Sequence, residues 1–219
     1  MNKFLSWFCK IFLAPVIKVV FIKRINGEEN IPDGNFILVA NHQSHIDEIA
    51  TGLLCLPRKF RFIGRIDDID GVAKIFLDLF YYLFGVIPLD RKDKESKRKV
   101  IREAINSLKD NNILILYPEG TRTRTGKMGE GKVGTAKFLL ATGTPILPVG
   151  IKGTADLLPP GGKLKIKKTI SINIGKPIFF KQEFNKAKTL DSKSEEYKNL
   201  LGDMTKKIMS EIFHLRQAA

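Results

Sequence analysis

The stretch that decides the fold is Phe36-Ile-Leu-Val-Ala40, which is followed at once by Asn41-His-Gln-Ser-His-Ile-Asp47. A short apolar run without polar alternation is typical of a strand buried on both faces of a sheet. Such a strand would place the imidazole of His42 at its end, and Asp47 would lie in the first turn of the next helix. The carboxylate could then hold one imidazole nitrogen and leave the other basic. The pair matches a Ser-His-Asp triad without its nucleophile, which indicates a base for a substrate hydroxyl.

The bulk composition is that of one folded and strongly basic domain. With 219 residues the chain is long enough for one substantial core, and 43% hydrophobic with 27% charged residues exclude a disordered protein. The formal net charge of +14 favours anionic partners: nucleic acid, lipid headgroups or phosphorylated small molecules. Cys9 and Cys55 show no metal-binding spacing. We therefore expect no disulfide framework and a reducing, cytoplasmic compartment.

The N-terminal segment, residues 1–20, is rich in Phe, Leu, Ile and Val. Lys10 and Lys18 interrupt it and Pro15 would kink or end a helix, so a full crossing of a bilayer is not expected. No small-residue cleavage site follows the apolar stretch, which argues against a signal peptide. We predict a membrane-associating interfacial helix with its lysines at the lipid phosphates. A helix that caps the soluble core is the alternative.

Residues 21–219 are predicted to form one α/β domain, a largely buried mixed sheet flanked by helices. Apolar runs that predict strands occur at residues 19–25, 36–40, 60–63, 86–89, 113–117, 146–151 and 170–174. Helical patterns occur at 94–109, at 135–141 and at about 194–216. The last of these is amphipathic and is expected to pack on the core or to cover it. The apolar stretch 72–84 is either a core helix or, beside a lipid site, a wall of that site.

A metal site is the first alternative for the histidine-containing stretch. His42, His45 and Asp47 are all ligand types, and a di-zinc hydrolase would use such a cluster. A site needs three or four ligands, however, and the remaining histidine, His214, belongs to the predicted C-terminal helix. We therefore expect no metal. His45 is interpreted as a surface or helix-start residue, because one base is sufficient.

Two further strand ends carry residues suited to binding a phosphate. The run at 86–89 leads into Asp90-Arg91, and the run at 113–116 leads into Tyr117-Pro-Glu-Gly-Thr-Arg122. A guanidinium can grip a phosphate in bidentate fashion, and Gly120 allows close backbone approach. Because ligands bind at the carboxyl ends of strands, both segments are expected to face His42 if their strands are neighbours.

Four segments, in this order, resemble the four motifs of the glycerolipid acyltransferases. They are Asn41-His-Gln-Ser-His-Ile-Asp47, Gly85-Val-Ile-Pro-Leu-Asp-Arg91, Tyr117-Pro-Glu-Gly-Thr-Arg122 and Pro145-Ile-Leu-Pro-Val149. The resemblance covers residues 20–180, and its first and third motifs are highly specific. It implies transfer of a fatty acyl group from acyl-CoA or acyl carrier protein to the sn-2 hydroxyl of 1-acylglycerol 3-phosphate. It implies no cofactor beyond these substrates.

The same resemblance implies roles for single residues. His42 would be the general base and Asp47 its orienting carboxylate. The lysophosphatidate headgroup would be held by Arg91, Glu119, Gly120, Thr121 and Arg122, with Arg65 a further candidate for its phosphate. Backbone N–H groups around Gly120 are candidates for stabilising the oxyanion. Residues 64–70 are more acidic than the corresponding residues of many relatives, so acceptor specificity could differ there.

Two other functions remain open. An enzyme of the same family could use another acceptor: glycerol 3-phosphate, another lysophospholipid or an acyloxy-lipid. A non-catalytic membrane- or nucleic-acid-binding module would also suit the basic charge. The aromatic residues lie in apolar runs instead of among basic residues, so no nucleic-acid partner is expected. We predict a peripheral or monotopic protein at an anionic surface, the cytoplasmic face of the cell membrane.

Overall fold

The computed structural model describes residues 3–65, 84–90 and 92–219. The apolar stretch at 72–83 and Arg91 lie outside the described residues, and for Arg65 the backbone alone is described. What the sequence indicates for these side chains therefore stays a prediction.

The described part of the chain forms one seven-stranded mixed sheet. Its strands are β1 (Ile22–Asn26), β2 (Ile37–Ala40), β3 (Phe60–Arg65), β4 (Val86–Leu89), β5 (Ile113–Leu116), β6 (Ile146–Lys152) and β7 (Ile170–Ile174). The strand order is β1-β7-β6-β2-β5-β3-β4, and neighbouring strands are parallel except for β6 with β7. The prediction of a mixed sheet in one α/β domain is confirmed.

The sheet is buried on both faces, which explains its continuous apolar runs. Phe36, directly before β2, packs into the core on one face of the sheet together with Leu38 and Ala40 of β2. Ile37 and Val39 pack into a second core cluster on the opposite face, and all five residues are fully buried. Successive side chains of a strand point to opposite faces, so a strand between two helical layers needs an apolar residue at every position.

Helices cover both faces of the sheet. The helices of the described ranges are α1 (Lys3–Phe8), α2 (Ala14–Phe21), α3 (Ile46–Cys55), α4 (Lys94–Lys109), α5 (Gly134–Thr142), α6 (Thr154–Leu157), α7 (Lys181–Ala187) and α8 (Glu195–Ala218). Apolar residues of α3 and α6 belong to the first core cluster, and those of α4, α5 and α8 belong to the second. The helices predicted at 94–109, 135–141 and about 194–216 are thus all present.

The connections from the adjacent strands β2 and β5 run in opposite directions, which makes the carboxyl end of β2 a topological switch point. From β2 the chain crosses through α3 to β3 on one side, and from β5 it crosses through α5 to β6 on the other. Strands β2 to β6 are parallel, so their carboxyl ends lie at one edge of the sheet. We call the region beside the end of β2 the crevice, after the place where open α/β sheets bind ligands.

The N-terminal helical run differs from the prediction in two ways. Pro15 does not end it, because the π-helical turn Cys9–Leu13 changes the hydrogen-bond register and Pro15 enters the following helix in its first turn. There its missing N–H costs little. Strand β1 begins at Ile22 instead of residue 19, since an existing helix extends through β-branched residues without a new nucleation step. By length and composition the run Phe4–Phe21 could cross a membrane, and 17% of it is buried.

Helix α8 packs directly on β6 with almost no space between the two backbones. A Cβ at Gly150 in β6 would overlap the backbone of Leu215 and Arg216 in α8. The position therefore accepts no side chain, and the end of α8 is held close to the sheet.

Replacing Gly150 by alanine is expected to lower the free energy of unfolding by about 1–3 kcal/mol, because two backbones must separate to admit the methyl group. Gly202→Ala in α8 is the matched control, since a Cβ there meets nothing within 4 Å. Alanine at a helical position gains up to about 1 kcal/mol over glycine. Urea unfolding followed by circular dichroism should show a lower midpoint for G150A only. Equal midpoints for G150A and the unsubstituted protein would contradict the close approach.

Candidate active site

The structure brings His42 and Asp47 together at the carboxyl end of β2. His42 is the second residue after the strand, and Asp47 is the second residue of α3. Nδ1 of His42 lies 2.9 Å from Oδ2 of Asp47. The turn between strand and helix, rather than a continuous helix, makes this approach possible for residues five positions apart. Their catalytic roles stay a prediction, and the geometry of the pair is suited to these roles.

Asp47 is fully buried and accepts hydrogen bonds on both oxygens. The backbone N–H groups of Gln43 and Ser44 donate to Oδ2 at 2.6 and 2.7 Å, in addition to the imidazole. The hydroxyl of Thr154, at the start of α6, donates to Oδ1 at 2.6 Å. The carboxylate therefore has a fixed orientation, and it fixes the imidazole in turn.

His42 is also held by its own backbone. Its N–H donates to Oε1 of Glu119 at 2.8 Å, and its carbonyl accepts the N–H of Thr123 at 2.9 Å. Both partners lie in the loop that follows β5. On the other side, the side chain of Asn41 exchanges two hydrogen bonds with the backbone of Ile151 in β6. The end of β2 is thus tied to both neighbouring strands.

Glu119 is buried in the loop after β5 instead of being exposed to a lipid headgroup. It is 4% exposed, and its second oxygen accepts the N–H of Gly129 at 2.7 Å. Burial raises the pKa of this carboxyl, while the N–H groups of Gly129 and His42 act to lower the pKa. Both oxygens are occupied by backbone donors, so its contribution to headgroup binding would be indirect, through the loop that it holds.

Tyr117 covers one face of the His42 ring. The two ring centroids are 4.0 Å apart and the planes differ by 13°. The phenol oxygen lies 2.9 Å from Oγ1 of Thr51, and burial, followed by the charge of Asp47, raises the pKa of Tyr117 well above its ordinary value. The neutral phenol ring of Tyr117 therefore restricts how the imidazole can tilt. Tyr117 directly follows β5, and this position could have identified it from the sequence as a residue of the site.

The loop after β5 presents cations at the mouth of the crevice. Thr121 is exposed and Arg122 is half-buried, while Gly120 adopts a left-handed conformation with φ 67°. Nζ of Lys132 lies 2.9 Å from where a Cβ of residue 120 would be. Lys132 belongs to a run, Gly131-Lys-Val-Gly134, that also resembles the family, but it lies ten positions after the motif and its sequence neighbours assign it no role. Its amine and the guanidinium of Arg122 are both suited to an anionic headgroup.

Gly120 does not offer its own N–H to an oxyanion. This N–H donates to the carbonyl of Tyr117 at 2.9 Å, which closes the turn. The expectation concerns N–H groups around Gly120, and for the neighbouring residues it stays a prediction.

Arg65 and His45 take different positions relative to His42. Arg65 ends β3, and its backbone pairs with Leu89 at the end of β4, on the same edge of the sheet. The side chain of His45 is 59% exposed, and its Nδ1 lies 3.7 Å from Glu48. Within the residues that the structure describes, no group of three or more His, Cys, Asp or Glu side chains could hold a metal ion.

Residues 19–152, more than half of the chain, match the family model described as Acyltransferase. The chain belongs to the acyltransferase family. Among its relatives, the chloroplastic 1-acyl-sn-glycerol-3-phosphate acyltransferase BAT2 of Brassica napus is 30% identical over 182 residues, 81% of this chain. The 1-acyl-sn-glycerol-3-phosphate acyltransferase of Escherichia coli K12 is 30% identical over 148 residues, 66% of this chain.

A solved structure supports the same assignment to the acyltransferase family. The 1-acyl-sn-glycerophosphate (LPA) acyltransferase PlsC from Thermotoga maritima aligns with a TM-score of 0.64 and 27% identity, over 94% of this chain and 78% of that one. The chain spans about half the length of the curated relatives it matches: 51% of the Brassica napus protein and 57% of the Escherichia coli protein. The resemblance seen in the four motifs is confirmed at the level of the family.

Removal of the Thr154 hydroxyl tests the support of Asp47. Thr154→Val should lower the free energy of unfolding by about 1–3 kcal/mol, because it leaves a buried carboxylate oxygen without its donor. Thr154→Ser is the matched control, since it keeps the hydroxyl and should retain most of the stability. Urea unfolding of the three proteins measures the difference. A Val variant as stable as the Ser variant would show that the 2.6 Å bond contributes nothing.

The raised pKa of Glu119 predicts a pH dependence of stability. Between the ordinary pKa of a glutamic acid and the raised folded-state pKa, the folded protein binds more protons than the unfolded chain. Its free energy of unfolding must therefore fall as pH rises through that interval. Glu119→Gln removes this titration. As pH rises, the free energy of unfolding of the unsubstituted protein should therefore fall relative to that of E119Q. Urea unfolding across this pH range measures the slope, with Glu130→Gln as an exposed control on the same loop. A difference in the free energy of unfolding that does not change with pH would contradict the raised pKa of Glu119.

Proposed function

We propose that this protein transfers a fatty acyl group from an acyl thioester to the sn-2 hydroxyl of 1-acylglycerol 3-phosphate, giving phosphatidate, with His42 as general base. The observation that carries the proposal is the buried pair of His42 and Asp47 at the switch point of the sheet. Family membership supports the reaction class, and the names of the relatives support the acceptor.

The imidazole is oriented for one task. Asp47 accepts the hydrogen bond of Nδ1, which leaves Nε2 as the proton acceptor. Within the described residues Nε2 has no hydrogen-bond partner. The lipid hydroxyl gives its proton to Nε2 while its oxygen attacks the thioester carbonyl, and Asp47 stabilises the imidazolium. When the carbon–sulfur bond breaks, Nε2 returns the proton to the leaving thiolate.

The nucleophile is supplied by the acceptor, so no acyl-enzyme forms. Ser44, the serine nearest to His42 in sequence, donates its hydroxyl to the carbonyl of Leu158 at 2.6 Å. Cys9 and Cys55 are buried free thiols, and burial raises the pKa of both. These side chains are thus unsuited to attack a thioester beside His42.

The anionic substrates suit the charge of the site. Arg122 and Lys132 stand at the crevice, and Arg65, Arg91 and the loop held by Glu119 would complete the binding of the headgroup phosphate. The net charge of +14 also suits the phosphates of coenzyme A or the acidic surface of an acyl carrier protein, either of which could deliver the acyl group.

The N-terminal helical run would associate the enzyme with the cytoplasmic face of the cell membrane, as a peripheral or monotopic protein. Its exposed side carries large apolar side chains, including Phe4, Ile11 and Val19, each more than half exposed. Such a surface is stable against lipid and costly in water. Both the acceptor and the product are lipids, so this position would bring the crevice to its substrate.

Replacing His42 by alanine should lower the rate of acyl transfer by on the order of 10²–10⁴-fold, the usual contribution of a general base. His45→Ala is the matched control and should retain full activity, because its ring is exposed and its Nδ1 lies beside Glu48. The assay follows acylation of 1-acylglycerol 3-phosphate with acyl-CoA and with acyl carrier protein as donors. Glycerol 3-phosphate and other lysophospholipids serve as competing acceptors. A folded H42A enzyme with full activity would overturn the mechanism, and faster acylation of another acceptor would overturn the substrate.

A further inference from the structure

The segment of residues 163–168, Lys-Leu-Lys-Ile-Lys-Lys, alternates cationic and aliphatic side chains before β7 begins. All six residues are exposed, Leu164 to 57% and Ile166 to 77%. Single exposed aliphatic residues are common, but two large ones interleaved with four lysines are not needed for either packing or solubility. We call this segment the cationic loop.

The cationic loop lies at the edge of the sheet that carries His42. The backbone N–H of Lys165 donates to the carbonyl of Leu157 in α6, at 2.8 Å. The next carbonyl, that of Leu158, accepts the hydroxyl of Ser44, two positions from His42. The loop therefore borders the crevice that a lipid acceptor must enter.

The cationic loop also lies beside the end of the N-terminal helical run. Ile22, the first residue of β1, pairs with Ile170, the first residue of β7. The helix ends one residue before Ile22, and the loop ends shortly before Ile170, so both reach the sheet side by side. The exposed apolar residues of the helical run are Phe4, Trp7, Phe8, Ile11, Phe12, Leu13, Val16 and Val19. The C-terminal end of the run thus lies beside the loop, whereas its start lies near Pro57, whose carbonyl accepts the hydroxyl of Ser6 at 2.7 Å.

We propose that the cationic loop is a second membrane contact, in which Leu164 and Ile166 enter an anionic lipid surface while the four lysines bind its phosphates. A bilayer fits better than an acidic protein. An acidic surface would pair with the lysines but would leave both aliphatic side chains in water. Lysines can lay their methylene groups along an apolar layer and keep their amines at the headgroups. This contact would hold the His42 crevice against the bilayer.

The proposal goes beyond acyl transfer, and binding to vesicles tests it without any chemistry. The full chain is sedimented with phosphatidylcholine vesicles, with and without phosphatidylglycerol. Leu164→Ser with Ile166→Ser should weaken binding by at least about tenfold, from the loss of two buried aliphatic side chains. Changing Lys163, Lys165, Lys167 and Lys168 to Gln should weaken binding to the anionic vesicles by at least about tenfold and leave neutral vesicles little affected.

A matched control removes the same charge at the opposite edge of the sheet. The residues Lys181, Lys186, Lys188 and Lys193, all exposed, lie in or just after α7. The segment before α7 pairs through Ile178 with Ile146, at the amino end of β6. Changing these four lysines to Gln should weaken binding to anionic vesicles clearly less than the loop change does. Equal losses would overturn the proposal, because net charge alone would then explain them.

A fluorescent probe separates the loop from the N-terminal helix, which could dominate the total binding. The chain has one tryptophan, Trp7, so Trp7→Phe gives a silent background. In that background Ile166→Trp should shift to shorter wavelength and be quenched by phosphatidylglycerol vesicles with brominated acyl chains. Phe179→Trp, at a position 59% exposed next to Ile178, should show neither change.

Two results would overturn the membrane contact. The first is a vesicle-bound Ile166→Trp protein without quenching. The second is unchanged vesicle binding of both loop variants together with lost activity toward acyl carrier protein donors alone, which would assign the loop to an acidic protein. Acyl transfer by the unsubstituted protein is measured separately, so failure here leaves the proposed reaction standing.

Discussion

The site depends on one buried carboxylate. Asp47 has no exposure to solvent, and its oxygens accept an imidazole, two backbone N–H groups and the hydroxyl of Thr154. A buried carboxylate is costly unless all its acceptor positions are used, so the turn after β2 can form only when these donors converge. The fold and the site are therefore specified by the same hydrogen bonds. The strand end, the start of α3 and the start of α6 meet around a single functional group.

A second carboxylate performs a similar task for the loop after β5. Glu119 joins the N–H of His42 to the N–H of Gly129, ten positions along the chain. The C-terminal helix contributes to the same region, since Arg216 donates to the carbonyl of Gly126 at 2.6 Å. The loop that carries Arg122 and Lys132 is thus fixed to β2 at one end and to α8 at the other. Cations on such a loop can be presented to a phosphate without a large loss of backbone entropy.

Much of this architecture could be predicted from the sequence because the strands are short, apolar and continuous. Such runs have few alternatives to a buried strand, and their starts and ends were found to within a few residues. The approach of His42 to Asp47 was also predictable, because both residues flank one local turn. The strand predicted from residue 19 failed because β-branched residues also tolerate a helix that has already formed.

The parts that could not be predicted are those that depend on distant segments. Thr154 is 107 positions from Asp47 and carries no motif of its own. Glu119 was assigned to the headgroup from the family resemblance, whereas its burial arises from the loop that folds back over it. The contact of Gly150 with α8 likewise requires the order of the strands, which pattern alone does not supply.

The stacking of Tyr117 on His42 has a consequence for how such a site can change during evolution. Of the two side chains that fix the imidazole, Asp47 is fully buried and Tyr117 is partly buried against the core. The imidazole of His42, the proposed proton acceptor, is thus oriented before any substrate arrives. Loops around the crevice could exchange residues and admit a different acceptor while the proposed base stays as it is. A family built on this arrangement can diversify its acceptors without redesigning its chemistry.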